Sequence, residues 1–416
     1  MQSAVLPIFL GLYAVEQTAD LGLLWLNLWR ARRAHGVPDE LGGLLDPAVA
    51  ERARAYAAAG GLVAICRAAT SAVVTLGLLL SGVLPWIDAA LAQVTDGPAH
   101  RFVLFLASIS AAISLTELPF AAWRTFGVER RFGFSRMGPG AFLLGRLRSW
   151  GLAALVGLPF LYALHVVMTL GGSSWWLWLF ALLAAVQLGL AWLWPAVVAP
   201  LLTPHHPLPP GDLRGSLEAL AEAAGLRPDA ILVVEASRRG GQPNARLTGP
   251  IRPRILLDDT LLARLSAEEI EAVVAHELGH YQLHHVRARL ALHLAGLLVL
   301  LALLSRALAW PALYTAFGFA GPSPQAAMAL VSICGGVALF WLTPLQAWLA
   351  RRQEAAADAR AVALTGRPET LGAALLDLAE DALLNPWPHP WYVAWRLTHP
   401  PLVERILALS PETDDP

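Results

Sequence analysis

The chain has 416 residues, of which 56% are hydrophobic and only 15% charged. Soluble domains are nearer a quarter charged, so these proportions exclude an ordinary soluble protein and point to a membrane protein. The formal net charge of −1 supplies no global field to recruit nucleic acid.

All basic residues are arginine, and Ala and Leu are abundant, a composition that suggests a bacterial source. Cys66 and Cys334 both sit inside apolar runs and read as buried thiols rather than a disulfide or a metal pair.

A spanning helix needs about 20 mostly apolar residues. Seven stretches meet this in varying degree: 4–29, 60–84, 102–123, 150–170, 175–199, 290–312 and 326–350. No Arg precedes the first, which carries Glu16 and Asp20, so it reads as a retained helix rather than a cleavable signal peptide. The fourth and fifth are separated only by Gly171–Ser174 and form a hairpin. Arginines crowd the connections after helices one and three, leave the 171–174 and 313–325 turns empty, and return in 201–289 and after 350. That alternation predicts an outside N-terminus, with 201–289 and 351–416 on the cytoplasmic side of a bacterial inner membrane.

Between helices five and six the chain turns polar. Residues 211–225 have helical periodicity and stop at Gly225, while Ile231–Val234 and Arg254–Leu257 suit strands of a small sheet. Ser266 and Glu269 form a capping box that opens a helix. The predicted organisation is spanning helices one to five over 1–200, a first polar segment over 201–289, helices six and seven over 290–350, and a second polar segment over 351–416.

The helix opened by Ser266 contains His276-Glu277-Leu278-Gly279-His280, an H-E-x-x-H pattern. Residues four apart share a helix face, so His276 and His280 can both reach one Zn²⁺ at ~2.0–2.1 Å. Glu277 lies beside that face, placed to take a proton from the attacking water rather than to bind metal. Catalytic zinc wants a third protein ligand from another element. Glu354, just after helix seven, can supply it, and Asp358 four residues on can accept a hydrogen bond from a ligand imidazole and fix its tautomer.

These motifs resemble the type I CAAX prenyl protease family of membrane zinc endopeptidases. V-V-A-H-E-L-G-H-Y-x-x-x-H at 273–285 carries the core of the likeness. It is joined by R-Q-E-A-A-A-D at 352–358, Thr398-His399-Pro400-Pro401 with Arg405, N-A-x-x-x-G at 244–249, and the loop at 124–134. The resemblance implies a mainly α fold, a barrel of seven transmembrane helices around a chamber, with a cytoplasmic zinc peptidase domain of gluzincin type containing a small β-sheet. It implies that Asn244 holds substrate backbone beside an edge strand formed by Ala245, Arg246, Leu247 and their neighbours. His399 would stabilise the tetrahedral intermediate, with Arg405 supporting it. The sequence departs from the family at Ser135, where an Asn is usual, and at Tyr281, often Trp. His284 and His285 lie a full helical turn beyond the site, so neither is expected to bind metal.

The implied reaction is hydrolysis of peptide bonds in membrane-associated or CAAX-like peptides by water activated on one zinc per chain. Partners are then a peptide or membrane-protein substrate and the lipid bilayer, with no nucleic acid; a monomer suffices. The competing reading is a polytopic transporter using intramembrane acids and Arg residues such as Glu16, Arg67 and Glu117, which leaves H-E-x-x-H, Glu354 and His399 without a task.

Overall fold

The computed structural model describes residues 4–193, 204–237, 243–249 and 253–410. They form a mainly helical chain with one small sheet. Helices α1 (Val5–Arg33), α2 (Pro47–Leu80), α3 (Val83–Val94), α4 (Pro98–Ala122), α5 (Pro139–Leu170) and α6 (Trp175–Leu193) come first. The sheet region follows, with β1 (His205–Pro207), α7 (Asp212–Ala223), β2 (Ala230–Val234), β3 (Ala245–Thr248), β4 (Arg254–Asp258), α8 (Asp259–Arg264) and α9 (Ala267–Gln282). The rest is helical: α10 (His285–Ala307), α11 (Pro311–Ala316), α12 (Pro324–Phe340), α13 (Thr343–Thr365), α14 (Pro368–Asp381), α15 (Pro390–Arg396) and α16 (Leu402–Leu409).

Among the described residues, five helices are long and apolar enough to cross a membrane, or six if α12 and α13, bent by 57° at their junction, count as one span. Seven spans were expected. The difference lies in α1, whose length of 29 residues suffices but whose apolar run is diluted by Glu16, Gln17 and Asp20. Part of the predicted fifth span, 194–199, lies outside the described residues. The predicted second span starts earlier and ends at Ser81–Gly82, where Gly82 takes φ +75 and the chain restarts as α3.

The chain divides into two compact units. The first gathers the described parts of Met1–Trp25, Ala59–Ala185 and His293–Leu342 around Phe9, Leu84, Phe105, Tyr314 and Leu330. Within it Arg67 Nη1 lies 3.5 Å from Glu117 Oε2, an ion pair between two of the charges in apolar runs.

The second unit gathers the described parts of Leu26–Ala58, Val186–Leu292 and Thr343–Pro416. Its sheet has the order β1-β2-β4-β3, with β2 and β4 parallel and the outer pairs antiparallel. The β1 strand was not anticipated from the sequence; β3, at the other edge, has Ala245 opposite Leu257 and Leu247 opposite Ile255. Alternation sends Ile231, Val233, Ile255, Leu257 and Ala245 into one core with Leu261, Val274 and Leu278 from the helices. Each buried Ile, Val and Leu side chain there contributes roughly 1.5–3 kcal/mol. The Ser266–Glu269 capping box is complete and fixes the start of α9.

Candidate metal centre

Two helices build the centre. On α9 the H-E-x-x-H pattern buries Ile270, Val274 and Leu278 in the sheet core and turns His276 and His280 towards α13. The helices meet at Gly279, where a Cβ would stand 3.0 Å from Ala357 O and 3.2 Å from Ala357 Cα. Only a residue without a side chain allows this approach, which carries Glu354 and Asp358 of α13 up to the imidazoles.

His276 Nε2 and His280 Nε2 are 3.2 Å apart. Glu354 Oε2 lies 3.5 Å from the first and Glu354 Oε1 3.3 Å from the second. Glu354 is buried, and Oε2 has no hydrogen-bond partner although His399 Nδ1 approaches it to 2.9 Å. That contact satisfies a distance but not hydrogen-bond directionality, so the oxygen keeps a lone pair for another partner. Two nitrogens and a carboxylate oxygen, all within 4.8 Å of one another, suit a single divalent cation. The donor set fits zinc, which takes imidazole and carboxylate ligands readily.

The outer nitrogens of both imidazoles are also engaged. His276 Nδ1 donates to Asp358 Oδ1 at 2.8 Å, leaving Nε2 for metal. Arg405 donates from Nε to Asp358 Oδ2 at 2.8 Å and from Nη2 to Oδ1 at 2.6 Å. His280 Nδ1 lies 2.8 Å from His285 Nδ1, one ring donating and the other accepting. Unbroken helical spacing would carry His285 a full turn past the metal-ligand candidates. The helix stops at Gln282, however, and His284 takes φ +55, which folds His285 back onto His280. No glycine or proline marks that break, so the pattern gave no signal for it.

Electrostatics follow from burial among opposite charges. Burial pushes Glu354 up, but His276, His280 and His399 more than offset it and hold the carboxyl far below the usual range. Burial likewise opposes ionisation of Asp358, and His276 and Arg405 overcome it, so its carboxyl is also held low. For His276 burial lowers the pKa, yet Asp358 and Glu354 raise it to about 9 in the metal-free chain. Glu277 goes the other way. Burial raises its carboxyl, only partly countered by His276 and His280, which suits a group that must both take and return a proton.

The remaining predicted residues lie in the same unit. Asn244 is exposed at the start of β3, and its carbonyl accepts from Asp258 N at 3.0 Å. Ala245 and Leu247 face the core, while Arg246 points to the other face and pairs with buried Asp258 at 2.9 Å. His399 is two-thirds exposed, and its Nδ1 approaches Glu354. Arg405 is brought to Asp358, behind His276.

A partly buried His–His–Glu cluster beside a carboxylate of raised pKa, in a chain whose described residues include five or six helices long and apolar enough to cross a membrane, defines a membrane metallopeptidase. Residues 28–203 match the family model of the CAAX prenyl protease N-terminal region with five membrane helices, and residues 207–413 match peptidase family M48. A CAAX prenyl protease 1 homolog of Oryza sativa is 31% identical over 98% of this chain and 96% of its own length. CAAX prenyl protease 1 of Saccharomyces cerevisiae is 30% identical over 74% and 71%, and the homolog of Homo sapiens 28% over 90% and 88%. A crystal structure of S. mikatae Ste24p has the same fold, with a TM-score of 0.90 at 24% identity over 98% of this chain and 99% of that one. The chain belongs to the M48 family and, within it, to the CAAX prenyl protease 1 group of membrane zinc metalloendopeptidases. Nothing in these comparisons supports the transporter reading.

Proposed function

We propose that the chain binds one Zn²⁺ through His276, His280 and Glu354 and cleaves peptide bonds in membrane-associated or CAAX-like substrates. The observation that carries this is the convergence of three donor atoms on a point beside Glu277, with one buried Glu354 oxygen unbonded. When bound, zinc supplies polarisation of the scissile carbonyl and acidifies the attacking water. Glu277 takes the water proton and returns it to the departing amine. Asn244 and the free edge of β3 hold the peptide by main-chain hydrogen bonds, and Ala245, Arg246 and Leu247 line that edge. His399, exposed enough to swing away from Glu354, donates to the oxyanion. Asp358 keeps the proton on His276 Nδ1, and Arg405 keeps Asp358 in place, acting at one remove from the substrate.

We further propose seven spans with α1 as the first, an outside N-terminus, and the segments 201–289 and 351–416 on the cytoplasmic side of a bacterial inner membrane. The Arg distribution supports this. Cysteine labelling at positions 173 and 216, after removal of Cys66 and Cys334, tests it; equal accessibility from one side overturns it.

The activity is tested on purified protein by zinc content and by hydrolysis of farnesylated and unfarnesylated CAAX peptides, with and without chelator. One zinc per chain and chelator-sensitive cleavage are expected. Metal-free protein of undiminished activity would refute the reading. A Glu277→Gln variant that retains bound substrates would identify the natural ones by mass spectrometry.

A further inference from the structure

Behind the centre lies a second cavity, of about 610 Å³, lined by neither zinc-ligand candidate on α9, nor by Glu354, nor by Glu277. Its size is in the usual range for small-ligand sites. The Arg405–Asp358 pair closes one wall.

From Asp358 the lining continues back along α13 towards its start, through Arg352 and Trp348. Leu345 and Trp348 lie three residues apart on this helix and are both well exposed, at 55% and 44%. Arg352 follows one turn later, with its guanidinium carbon 4.9 Å from the centre of the Trp348 ring. Among the described residues Arg352 has no acidic partner. Arg351 beside it spends its Nη1 on the carbonyls of Val393 and Leu397. Glu404 of α16 also lines the cavity; it is exposed and, among the described residues, has no cationic partner.

The strip is graded along the helix: apolar at Leu345, amphipathic at Trp348, cationic at Arg352. This order marks the passage from hydrocarbon to headgroup at a membrane surface, and it occurs where the apolar run 326–350 ends. We infer that this cavity holds the headgroup of a phospholipid, its phosphodiester on Arg352 and its acyl chains along Trp348 and Leu345. Glu404 decides which headgroup. A phosphate alone would face an unpaired carboxylate, whereas a headgroup that also carries an ammonium satisfies both signs. The chemistry matched is thus a phosphoethanolamine rather than a glycerol phosphate. The inference does not rest on the peptidase reading, because the cavity and its charges exist whether or not metal is bound.

The test is lipid retention by the full-length protein, reconstituted in bilayers of phosphatidylethanolamine and phosphatidylglycerol and read by native mass spectrometry after extraction. Preferential retention of phosphatidylethanolamine is expected. Arg352→Ala should lower retention of both lipids about tenfold, the cost of losing one charge-assisted contact. Ala359→Phe, which fills the cavity without altering a charge, should do the same. Zinc content read on each variant separates lost lipid from lost fold. Glu404→Gln should keep lipid bound but abolish the preference for ethanolamine. Unchanged retention in both Arg352→Ala and Ala359→Phe overturns the site. Unchanged preference in Glu404→Gln overturns the headgroup. Displacement of lipid by inorganic phosphate alone would show a free-anion site and overturn the lipid assignment.

Discussion

Arg405 grips both oxygens of Asp358 with two hydrogen bonds of 2.8 and 2.6 Å. The same carboxylate holds His276 Nδ1, so a residue near the C-terminal end of the described chain sets the orientation of a candidate ligand 129 positions earlier (405 − 276). Removing the guanidinium leaves a buried carboxylate with only the imidazole to neutralise it. Arg405→Ala is expected to destabilise the second unit by roughly 3–5 kcal/mol, as loss of one partner of a buried pair does. It should weaken metal binding on the order of 10–100-fold. Arg405→Lys retains charge but not the fork and should fall between. Chelator competition and thermal unfolding measure both effects; wild-type metal affinity in Arg405→Ala would remove Arg405 from this role.

Glu277→Gln is expected to keep zinc and fold while abolishing turnover. The amide is nearly isosteric but cannot accept a proton at neutral pH. Because burial already raises the Glu277 carboxyl, replacing it with a neutral group should cost no stability and may be compared directly in melting experiments. Near-wild-type hydrolysis would show that another group is the base.

Metal uptake should release a proton. In the metal-free chain His276 has its pKa raised to about 9 by Asp358 and Glu354 against the opposing effect of burial. Its folded value lies above the ordinary 6.5, so its contribution to metal-free stability is complete below pH 6.5 and is lost as pH rises through 9. A metal needs the neutral ring. Between pH 6.5 and 9, apparent zinc affinity should therefore rise about tenfold per pH unit for this one proton. Titration of metal-free protein with zinc in weak buffer at pH 7.5 reads the proton directly; an uptake that releases none would exclude a protonated His276.

Much of this centre was legible because its chemistry is tied to helical spacing. His276 and His280 at i and i+4 share a face on any helix, and Glu354 and Asp358 repeat the interval on α13. The small sheet is legible in the β-branched or aliphatic runs at Ile231–Val234 and Arg254–Leu257, with 245–249 between them. What spacing could not carry was contact between distant segments. The link from Arg405 to Asp358 and the return of His285 to His280 depend on tertiary packing and on one left-handed residue, His284, which has no sequence signature. The count of spans failed to close for two further reasons. Glu16 and Asp20, plain in the sequence, dilute the apolar run of α1, and the bend between α12 and α13 divides a run that is continuous in composition.

His399→Ala is expected to cut turnover by ~10²–10³, with zinc content and KM little changed, because the proposed contact forms mainly in the transition state. The ring is two-thirds exposed, and its contact with Glu354 lacks hydrogen-bond directionality, so removing it leaves no buried group newly unpaired. A loss of zinc rather than of rate would instead make His399 a support for Glu354.

The sharpest structural test is the smallest substitution, Gly279→Ala. The added methyl would stand 3.0 Å from Ala357 O, 3.2 Å from Ala357 Cα and 3.2 Å from Arg360 Cβ. Two of these three obstacles are main chain and cannot rotate away. The helices α9 and α13 must then part by a few tenths of an ångström, at an expected cost of roughly 1–3 kcal/mol for overpacking. The separation acts directly on the metal centre, since His280 is next in sequence to Gly279 and Glu354 lies on the helix pushed aside. Zinc affinity should fall together with Tm. Adding Ala357→Gly should not rescue either quantity, because the clash is with its carbonyl oxygen and Cα, which glycine retains. Arg360→Ala should not rescue them either, since the Cβ it leaves is the atom that collides. Full recovery in either double variant would mean that side-chain crowding, and not the approach of two backbones, holds the two halves of the site together.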